Sequence, residues 1–381
     1  MTDLESILPL WRELESRGSD FVLATIVAVE GSSYRKPGTH MLLTQDGRRA
    51  GTVSGGCLEA EVARRAWWLT ASGPVIETYS TGDDDGDRPF GSGCGGVVHL
   101  LLERKHTAGP LLQAVDEAFR VRSGLAVATV LEGPRIGQRA FAGLAAGDPQ
   151  ISLPPGSDND FELLNLAAAA LVNRGSFESK FPLAGVASRV WGHYYRARTG
   201  LWICSAGDDA KPLVHLAHEL GWFVAVADGR SNLATQARFP NADEVCVLPI
   251  TDLPGAAHAH LHLLPSDAAV VMTHSFEQDS RVLASLLALE SPLAYLGVLG
   301  PQRRTRELLI EAAHLLGLPA TDDRVDLWLA EMHAPTGLDL GAETPASIAL
   351  SIMAEIQQTL SSASALPLRR IRATDQTVAC S

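Results

Sequence analysis

The chain has 381 residues, of which 46% are hydrophobic and 20% are charged, and its formal net charge is −13. This length favours two domains, the composition is typical of folded proteins, and the acidic balance argues against a nucleic-acid-binding surface. No signal peptide or membrane span is predicted, and five scattered cysteines favour a reducing compartment, so we expect a cytoplasmic protein.

The N-terminal half opens with an amphipathic helix, whose apolar residues from Ile7 to Leu14 recur at helical spacing. This apolar stripe fits either the core of its own domain or a homodimer interface. Strands are predicted at residues 21–29, 41–44, 97–103 and 125–131, with a helix at 58–70. Asp46 and Gly47 indicate a hairpin turn. Residues 133–200 have a weaker pattern, which we interpret as mixed α/β.

Two glycine-rich loops in this half each contain a cysteine. Their candidate binding residues are Ser54, Gly55, Gly56, Cys57 and Glu59 in the first loop, and Gly93, Cys94 and Gly95 in the second. Glycines let backbone amides converge on a ligand, and a helix amino terminus favours anions and lowers the pKa of a thiol. We therefore predict Cys57 in the first turn of a helix, at a site for a phosphorylated or sulfur-bearing ligand.

Two cations accompany these loops. Arg35 and Lys36 lie in a proline-stiffened turn, where they are suited to binding phosphate. The alternative for the turn is a solvated loop, and for each cysteine it is a small buried side chain beside a tight turn.

The C-terminal half alternates strands and helices. Strands are predicted at residues 201–205, 222–227, 245–248, 268–273 and 293–298, and this rhythm indicates a parallel sheet with crossover helices. A last helix starts at Pro345, with Thr344 as its N-cap. The predicted fold class is α/β, with a mixed α/β domain at residues 1–198, a Rossmann-like doubly wound parallel-sheet domain at 199–360 and a flexible tail at 361–381.

A candidate nucleotide site follows the first strand of this second domain. Ser205 and Gly207 occupy the place of a Rossmann glycine loop, and Asp228 ends the next strand, where a carboxylate usually binds a ribose hydroxyl. However, Ser205 replaces the first glycine, and Asp208 and Asp209 would place negative charge near a pyrophosphate. NAD(P) binding is therefore an alternative and not the leading prediction.

Six longer motifs are distributed along the chain, and the matches they belong to extend from Trp11 to Gln358, over nearly its whole length. They are G-S-S-Y-R-K-P-G-T-H-M, G-T-V-S-G-G-C-L-E, G-S-G-C-G-G, T-H-S-F-E-Q-D, Y-L-G-V-L-G-P-Q-R-R-T and G-L-D-L-G-A-E-T-P-A-S-I-A-L-S-I-M-A-E-I. Together they resemble the XdhC/CoxI family, which comprises accessory proteins of xanthine dehydrogenase and related molybdenum hydroxylases. The sequence departs from this family at Ser205, where a glycine is usual, and at His193, where an acidic residue is usual.

The resemblance implies a role for each domain. It implies an N-terminal cofactor-handling domain and a Rossmann-like C-terminal domain. The implied role is to bind molybdenum cofactor (molybdopterin), to support its sulfuration by a cysteine desulfurase, and to insert it into a xanthine dehydrogenase-type hydroxylase. Cys57 matches the family cysteine tied to cofactor handling, and as a soft thiolate it would contact molybdenum.

Our leading hypothesis is therefore a carrier and insertion chaperone without turnover of its own. One alternative is a nicotinamide-dependent oxidoreductase that uses the Rossmann-like half. The other is a sulfur-transfer enzyme with Cys57 and Cys94 as a relay pair, which requires their Cα atoms to lie within about 7 Å.

Overall fold

The computed structural model describes residues 4–31, 33–56, 58–80, 96–143, 161–183, 186–254, 260–319 and 323–371. The chain divides into two compact units, residues 1–198 and 199–381. Both combine helices with sheets, so the predicted α/β fold class is confirmed. None of the helices in the described ranges is both long and apolar enough to cross a membrane.

The first unit has four α-helices and nine strands among its described residues. The helices are α1 (Leu4–Ser16), α2 (Glu59–Leu69), α3 (Lys105–Arg120) and α4 (Phe161–Asn173). The strands are β1 (Phe21–Glu30), β2 (His40–Thr44), β3 (Arg49–Gly51), β4 (Val75–Ser80), β5 (Val97–Arg104), β6 (Leu125–Val130), β7 (Arg139–Ala142), β8 (Phe177–Leu183) and β9 (Val186–Tyr195). They form two antiparallel sheets, a five-stranded one in the order β3-β2-β1-β5-β4 and a four-stranded one in the order β7-β6-β9-β8.

The central strand β1 is buried on both faces, because alternate side chains of a strand point to opposite sides of the sheet. Phe21 and Leu23 pack in the cluster that contains α1 and α3. Val22 and Ala24 pack in the cluster that contains α2. The apolar stripe of α1 thus lies in the core of its own unit, and it offers no support for a homodimer interface.

The turn between β2 and β3 is the hairpin that Asp46 and Gly47 predict. Gly47 has a positive φ of 86°, and the amide of Thr44 donates to the carbonyl of Arg48 over 3.0 Å. α2 begins at Glu59, with Leu58 as its N-cap, and Cys57, predicted in the first turn, lies outside the described residues.

The second unit has five α-helices and five strands in the part of the chain that the structure describes. The strands are β10 (Gly200–Cys204), β11 (Phe223–Asp228), β12 (Glu244–Val247), β13 (Ala268–Val271) and β14 (Tyr295–Val298). The helices are α5 (Ala210–Glu219), α6 (Phe276–Leu287), α7 (Gln302–Leu315), α8 (Arg324–Glu331) and α9 (Pro345–Ser361).

All neighbouring strands of the second unit are parallel, in the order β12-β11-β10-β13-β14. The order reverses between β10 and β13, as in a doubly wound Rossmann sheet. Leu201 and Ile203 of β10 face the cluster that includes α5 and α9, whereas Trp202 and Cys204 face the cluster that includes α6 and α7. The predicted Rossmann-like architecture is confirmed, and helices cover both faces of its sheet.

Candidate functional site

Three strands of the first unit end at the same end of its five-stranded sheet, and a connection follows each of them. Strand β1 ends and β5 begins there, because Glu30 pairs with Val97. Strand β4 ends there as well, because Ser80 pairs with the same Val97. Strand β3 ends on this side too, since both it and β1 are antiparallel to β2. The connections are residues 31–39, 52–58 and 81–96, and with Glu59 they contain every predicted binding residue of this unit.

A buried carboxylate organises the first cysteine loop. Glu59 accepts hydrogen bonds from the amide of Ser54 over 2.8 Å, from the hydroxyl of Ser54 over 2.6 Å, and from the hydroxyl of Thr52. The Ser54 hydroxyl accepts in turn from the amides of Gly56 and Leu58, each over 3.1 Å. Burial alone would raise the pKa of Glu59, but these hydrogen bonds outweigh it and hold the pKa below its usual value.

This arrangement changes the role we assign to the loop residues. The side chain of Glu59 lies under the loop and is hydrogen-bonded within it. The amides of Gly56 and Leu58 point at Ser54, which removes two donors from the amide cradle that the sequence predicts. Gly55 and Gly56 are exposed, and among the described residues no atom comes within 4 Å of the place where their Cβ would be. Hydrogen bonds to Glu59 therefore hold the loop, and its two glycines are exposed among the described residues.

The cationic turn at residues 31–39 extends from the same end. Lys36 is exposed, and the Arg35 guanidinium lies 5.3 Å from the ring centre of Tyr34, whose side chain is 72% exposed. The turn is anchored by Gly38, whose amide donates to the carbonyl of Ile26 over 2.8 Å. Gly38 has a positive φ of 90°, which favours glycine at this position.

Gly38 rests directly on the imidazole of His193, which belongs to β9 in the other sheet. A Cβ at Gly38 would lie well under 3.0 Å from Cε1 and Nε2 of His193. The ring is fixed by a 2.5 Å hydrogen bond between its Nδ1 and the Ser176 hydroxyl. It also stacks on Trp191 at 4.6 Å and meets Tyr195 edge-on at 4.5 Å between ring centres.

A second buried histidine continues this polar network. Nδ1 of His40 lies 2.8 Å from the Thr25 hydroxyl, and its Nε2 lies 3.2 Å from the hydroxyl of Tyr195. Burial, with smaller effects from the charges of His193 and Arg139, lowers the pKa of His40 to about 3. Burial lowers the pKa of His193 to about 4. Both imidazoles are therefore neutral at neutral pH, and they join the two sheets beneath the cationic turn.

Sequence reasoning missed this network. The only signal in the sequence was His193, which was noted because the family usually has an acidic residue there. Nothing in the sequence indicated that His193 contacts Gly38. The partners are 15 and 155 residues apart along the chain, from Thr25 to His40 and from His40 to Tyr195.

In the second unit, the carboxylate predicted to bind ribose is already engaged. Asp228 is buried and accepts from the amide of Ala206 over 2.7 Å, while Arg230 donates to it from its amide and from its guanidinium over 2.6–2.9 Å. Burial would raise the pKa of Asp228, but these bonds outweigh it and lower the pKa. The Ser205 hydroxyl likewise accepts from the amide of Gly207 over 3.2 Å. These groups shape the loop itself.

The objection that Asp208 and Asp209 repel a pyrophosphate is not supported. Asp208 pairs with Lys211 at 2.8 Å and with Arg238 at 2.9 Å. Asp209 lies 3.3 Å from Nε2 of His274. The sequence shows the two acids next to each other, but it does not show the cation from residue 238.

Cys57, Gly93, Cys94 and Gly95 lie outside the described residues, so their roles and the proximity of the two thiols stay predictions. Burial raises the pKa of Cys204, and burial with the charge of Glu244 raises that of Cys246 to about 12. Neither thiol is therefore activated. Within the described ranges no group of three or more histidine, cysteine, aspartate or glutamate side chains is arranged to hold a metal ion.

Comparison with known proteins gives matches along both units. The family model described as the XdhC Rossmann domain matches residues 201–356, and the model described as the XdhC and CoxI family matches residues 14–80. A protein of Bacillus subtilis described as a probable xanthine dehydrogenase subunit is 31% identical over 345 residues, which cover 89% of this chain and 92% of that protein. The molybdenum cofactor insertion chaperone PaoD of Escherichia coli is 26% identical over 93% of this chain and 88% of its own length.

A solved structure resembles the chain throughout. It is a crystal structure described as a xanthine dehydrogenase from Bacillus halodurans, with 30% identity and a TM-score of 0.70. The match covers 95% of this chain and 96% of the other, so it extends over both units.

Proposed function

Because the chain belongs to the XdhC/CoxI family, we propose that it binds molybdenum cofactor as cargo and inserts it into a xanthine dehydrogenase-type hydroxylase. A relative that aligns over 93% of the chain is named as an insertion chaperone for this cofactor, and another is named as a probable part of a xanthine dehydrogenase. Cytoplasmic action is part of this proposal, since the scattered cysteines of the sequence favour a reducing compartment.

The observation that supports the proposal is that β1, β3 and β4 end on the same side of the five-stranded sheet, so that the three connections after them start there. One connection supplies cations, one supplies an exposed glycine pair before Cys57, and one leads to Cys94. Molybdopterin has a phosphate at one end and sulfur ligands at the other. A carrier therefore needs cations and a soft ligand at one place, and this end of the sheet has both kinds of residue in its connections.

Each residue has a distinct part in the proposed cargo site. Lys36 and Arg35 bind the phosphate by charge, and the open surface at Gly55 and Gly56 lets the cargo approach the backbone. Glu59 and Ser54 keep the loop in shape without touching the cargo. Cys57 offers a thiolate to molybdenum.

Two finer parts of the proposal concern sulfur and partners. We propose that the bound cofactor receives its sulfur from a cysteine desulfurase before insertion, so that the desulfurase and the hydroxylase are successive partners. A homodimer also stays a proposal, to be tested by sedimentation of the purified chain.

The test of the cargo role is anaerobic copurification from a host that makes molybdopterin, followed by metal and pterin analysis. Wild-type protein should retain both, and Cys57→Ala should retain at least about tenfold less, since metal sites lose 10–100-fold even when an outer-shell partner is removed. Cys246→Ala is the matched control, because that thiol is half-buried in β12 of the second unit, and it should retain as much as wild type. Equal retention by Cys57→Ala would remove the thiol from the site, and wild-type protein free of pterin would contradict the cargo role.

Cys94→Ala separates carrying from sulfur transfer. If Cys94 belongs to a relay, this variant keeps its pterin but yields hydroxylase that lacks the desulfurase-dependent gain in activity. If the variant supports full activation, the relay alternative is wrong.

A further inference from the structure

Two sequence motifs that the cargo site does not use meet in the second unit. T-H-S-F-E-Q-D follows β13 and G-P-Q-R-R-T follows β14, both at the carboxyl ends of parallel strands. Between them lies a cavity of about 270 Å³. Its lining residues are Met272, His274, Asp279, Leu299, Gly300, Pro301 and Arg304. Carboxyl ends beside the point where strand order reverses are where open α/β sheets bind ligands.

A fully buried carboxylate holds one cation at this cavity. Asp279 accepts from the amide and the hydroxyl of Thr273 over 3.0 and 2.6 Å, and from Nη2 of Arg304 over 2.7 Å. Asp279 is thereby satisfied. The bond to Asp279 is the only hydrogen bond that the Arg304 side chain makes within the described residues, and this side chain is 27% exposed. The remaining N–H groups of the guanidinium have no partner among the described residues, and they are available to a ligand in the cavity.

A second basic residue lines the cavity from the neighbouring loop. His274 adopts a positive φ of 63°, which is a costly conformation for a residue with a side chain. Its imidazole is 63% exposed and lies 3.3 Å from Asp209, which follows β10. Arg304 and His274 thus face one cavity from the ends of two adjacent strands.

The charges and the size of the cavity indicate the class of ligand. Asp208, Asp228 and Asp279 at this end of the sheet are each paired with an arginine or a lysine, and Asp209 lies 3.3 Å from the imidazole of His274. Asp279 is the carboxylate among the lining residues, and because Arg304 pairs with it, an anion entering the cavity meets guanidinium and imidazole N–H groups. A volume of about 270 Å³ is just below the roughly 300 Å³ at which drug-sized pockets begin, which leaves room for a phosphoryl group and a small attached fragment.

We propose that this cavity is a phosphoryl-binding site in which Arg304 and His274 contact the phosphoryl oxygens. Arginine suits this task because its planar fork matches phosphate oxygens in pairs. The site lies on the β13 and β14 side of the strand-order reversal. It therefore differs from the glycine-loop position at Ser205 and Gly207, whose groups bond to one another. The inference does not depend on the cargo role of the first unit.

The test is isothermal titration of the full chain, at fixed ionic strength, with inorganic phosphate, pyrophosphate, ADP and adenosine. We expect one Arg304-dependent site per chain for the phosphoryl compounds, distinct from any phosphate bound at Lys36 in the first unit, and none for adenosine. Equal affinity for phosphate and ADP identifies a free anion as the ligand, whereas tighter binding of ADP identifies a nucleotide. Binding of adenosine as tight as that of ADP, or no saturable binding of any phosphoryl compound, would overturn the proposal.

Two neighbouring arginines provide a matched pair of variants. Arg304→Lys keeps the charge but loses the paired hydrogen bonds, and it should weaken binding by about tenfold. Arg303→Lys makes the same change one residue earlier, where the side chain is 91% exposed and pairs with Glu307, and it should bind as wild type does. Equal weakening by both variants would contradict the assignment.

Two further variants separate binding from folding and from the cargo site. His274→Gly removes the imidazole and also relieves the positive φ, so it should bind severalfold more weakly without any fall in melting temperature. Unchanged binding by His274→Gly would remove His274 from the site. Lys36→Ala, in the first unit, should leave the Arg304-dependent binding unchanged. Loss of that binding in Lys36→Ala would show that the phosphoryl site is the cargo site and would overturn the proposal.

Discussion

The contact between Gly38 and His193 predicts that Gly38→Ala disrupts the cationic turn. An alanine there carries two separate costs. The positive φ of 90° costs about 1–2 kcal/mol for a residue with a Cβ. The clash with His193 adds about 1–3 kcal/mol, the usual cost of overpacking, because Ser176 and Trp191 prevent the ring from moving away. The total is about 2–5 kcal/mol.

Gly47→Ala isolates the first of these costs. Gly47 lies on the next turn along the chain, at the other end of β2, with a φ of 86°, and no described atom lies within 4 Å of where its Cβ would be. Its cost is the backbone cost alone, about 1–2 kcal/mol. The two variants should therefore differ by the steric cost of about 1–3 kcal/mol.

Urea unfolding of both variants measures this difference, and hydrogen exchange of the amides that hold the 31–39 turn shows where Gly38→Ala acts. The amides of Gly38 and Ile26 donate to the carbonyls of Ile26 and Thr39 over 2.8 and 2.9 Å, and their protection reports the free energy of local opening. Gly38→Ala should lose more protection than Gly47→Ala, and adding His193→Ala should restore part of it by making room. If the two alanine variants lose equal protection, or if His193→Ala restores none, the contact does not support the turn.

Two more predictions concern the buried polar groups of the first unit. His40 and His193 have pKa values of about 3 and about 4 in the fold and about 6.5 when unfolded, so the unfolded chain binds more protons below pH 6.5. The contribution of the two neutral histidines to the free energy of unfolding is therefore complete above pH 6.5, and it falls by about 2 kcal/mol for each histidine at pH 5. Urea unfolding from pH 7.5 to 5 measures this loss. A His193→Asn variant that loses as much stability as the wild type would contradict the prediction. Arg139→Met leaves the buried carboxylate of Glu103 without its ion pair, and it should lower the free energy of unfolding in urea by about 3–5 kcal/mol. Arg120→Met, which breaks an exposed ion pair with Glu117, is the control and should have no measurable effect. Equal stabilities of the two variants would refute the reasoning.

The sequence predicted the second unit better than the first for a physical reason. In a parallel sheet each strand is followed by its crossover helix, so the order of elements from β10 onwards follows from local periodicity and the rule for such connections. In the first unit the packing of one antiparallel sheet on another depends on pairs far apart in the chain, such as His40 with Tyr195. Local patterns do not report such pairs.

The same reason explains which parts of the sites were missed. The Ser54 loop was predicted as a binding site because its glycines and its cysteine are adjacent in the sequence. The hydrogen bonds inside this loop were not predicted, because Glu59 was interpreted as a ligand contact and not as the acceptor that holds the loop together. The charge of Asp208 was misjudged because Arg238 lies 30 residues away.

The hydrogen bonds around Ser54 and Glu59 have a consequence for how the loop would bind the proposed cargo. Within the described residues, Glu59 binds Thr52 and Ser54, and the Ser54 hydroxyl accepts from the amides of Gly56 and Leu58, so the loop is held by its own residues. Its conformational entropy is therefore given up when the chain folds and not when cargo arrives. A binding site that is rigid before its ligand binds loses little conformational entropy on binding, and it can release the ligand without rearranging. Such a surface is well matched to a protein whose task is to release what it holds.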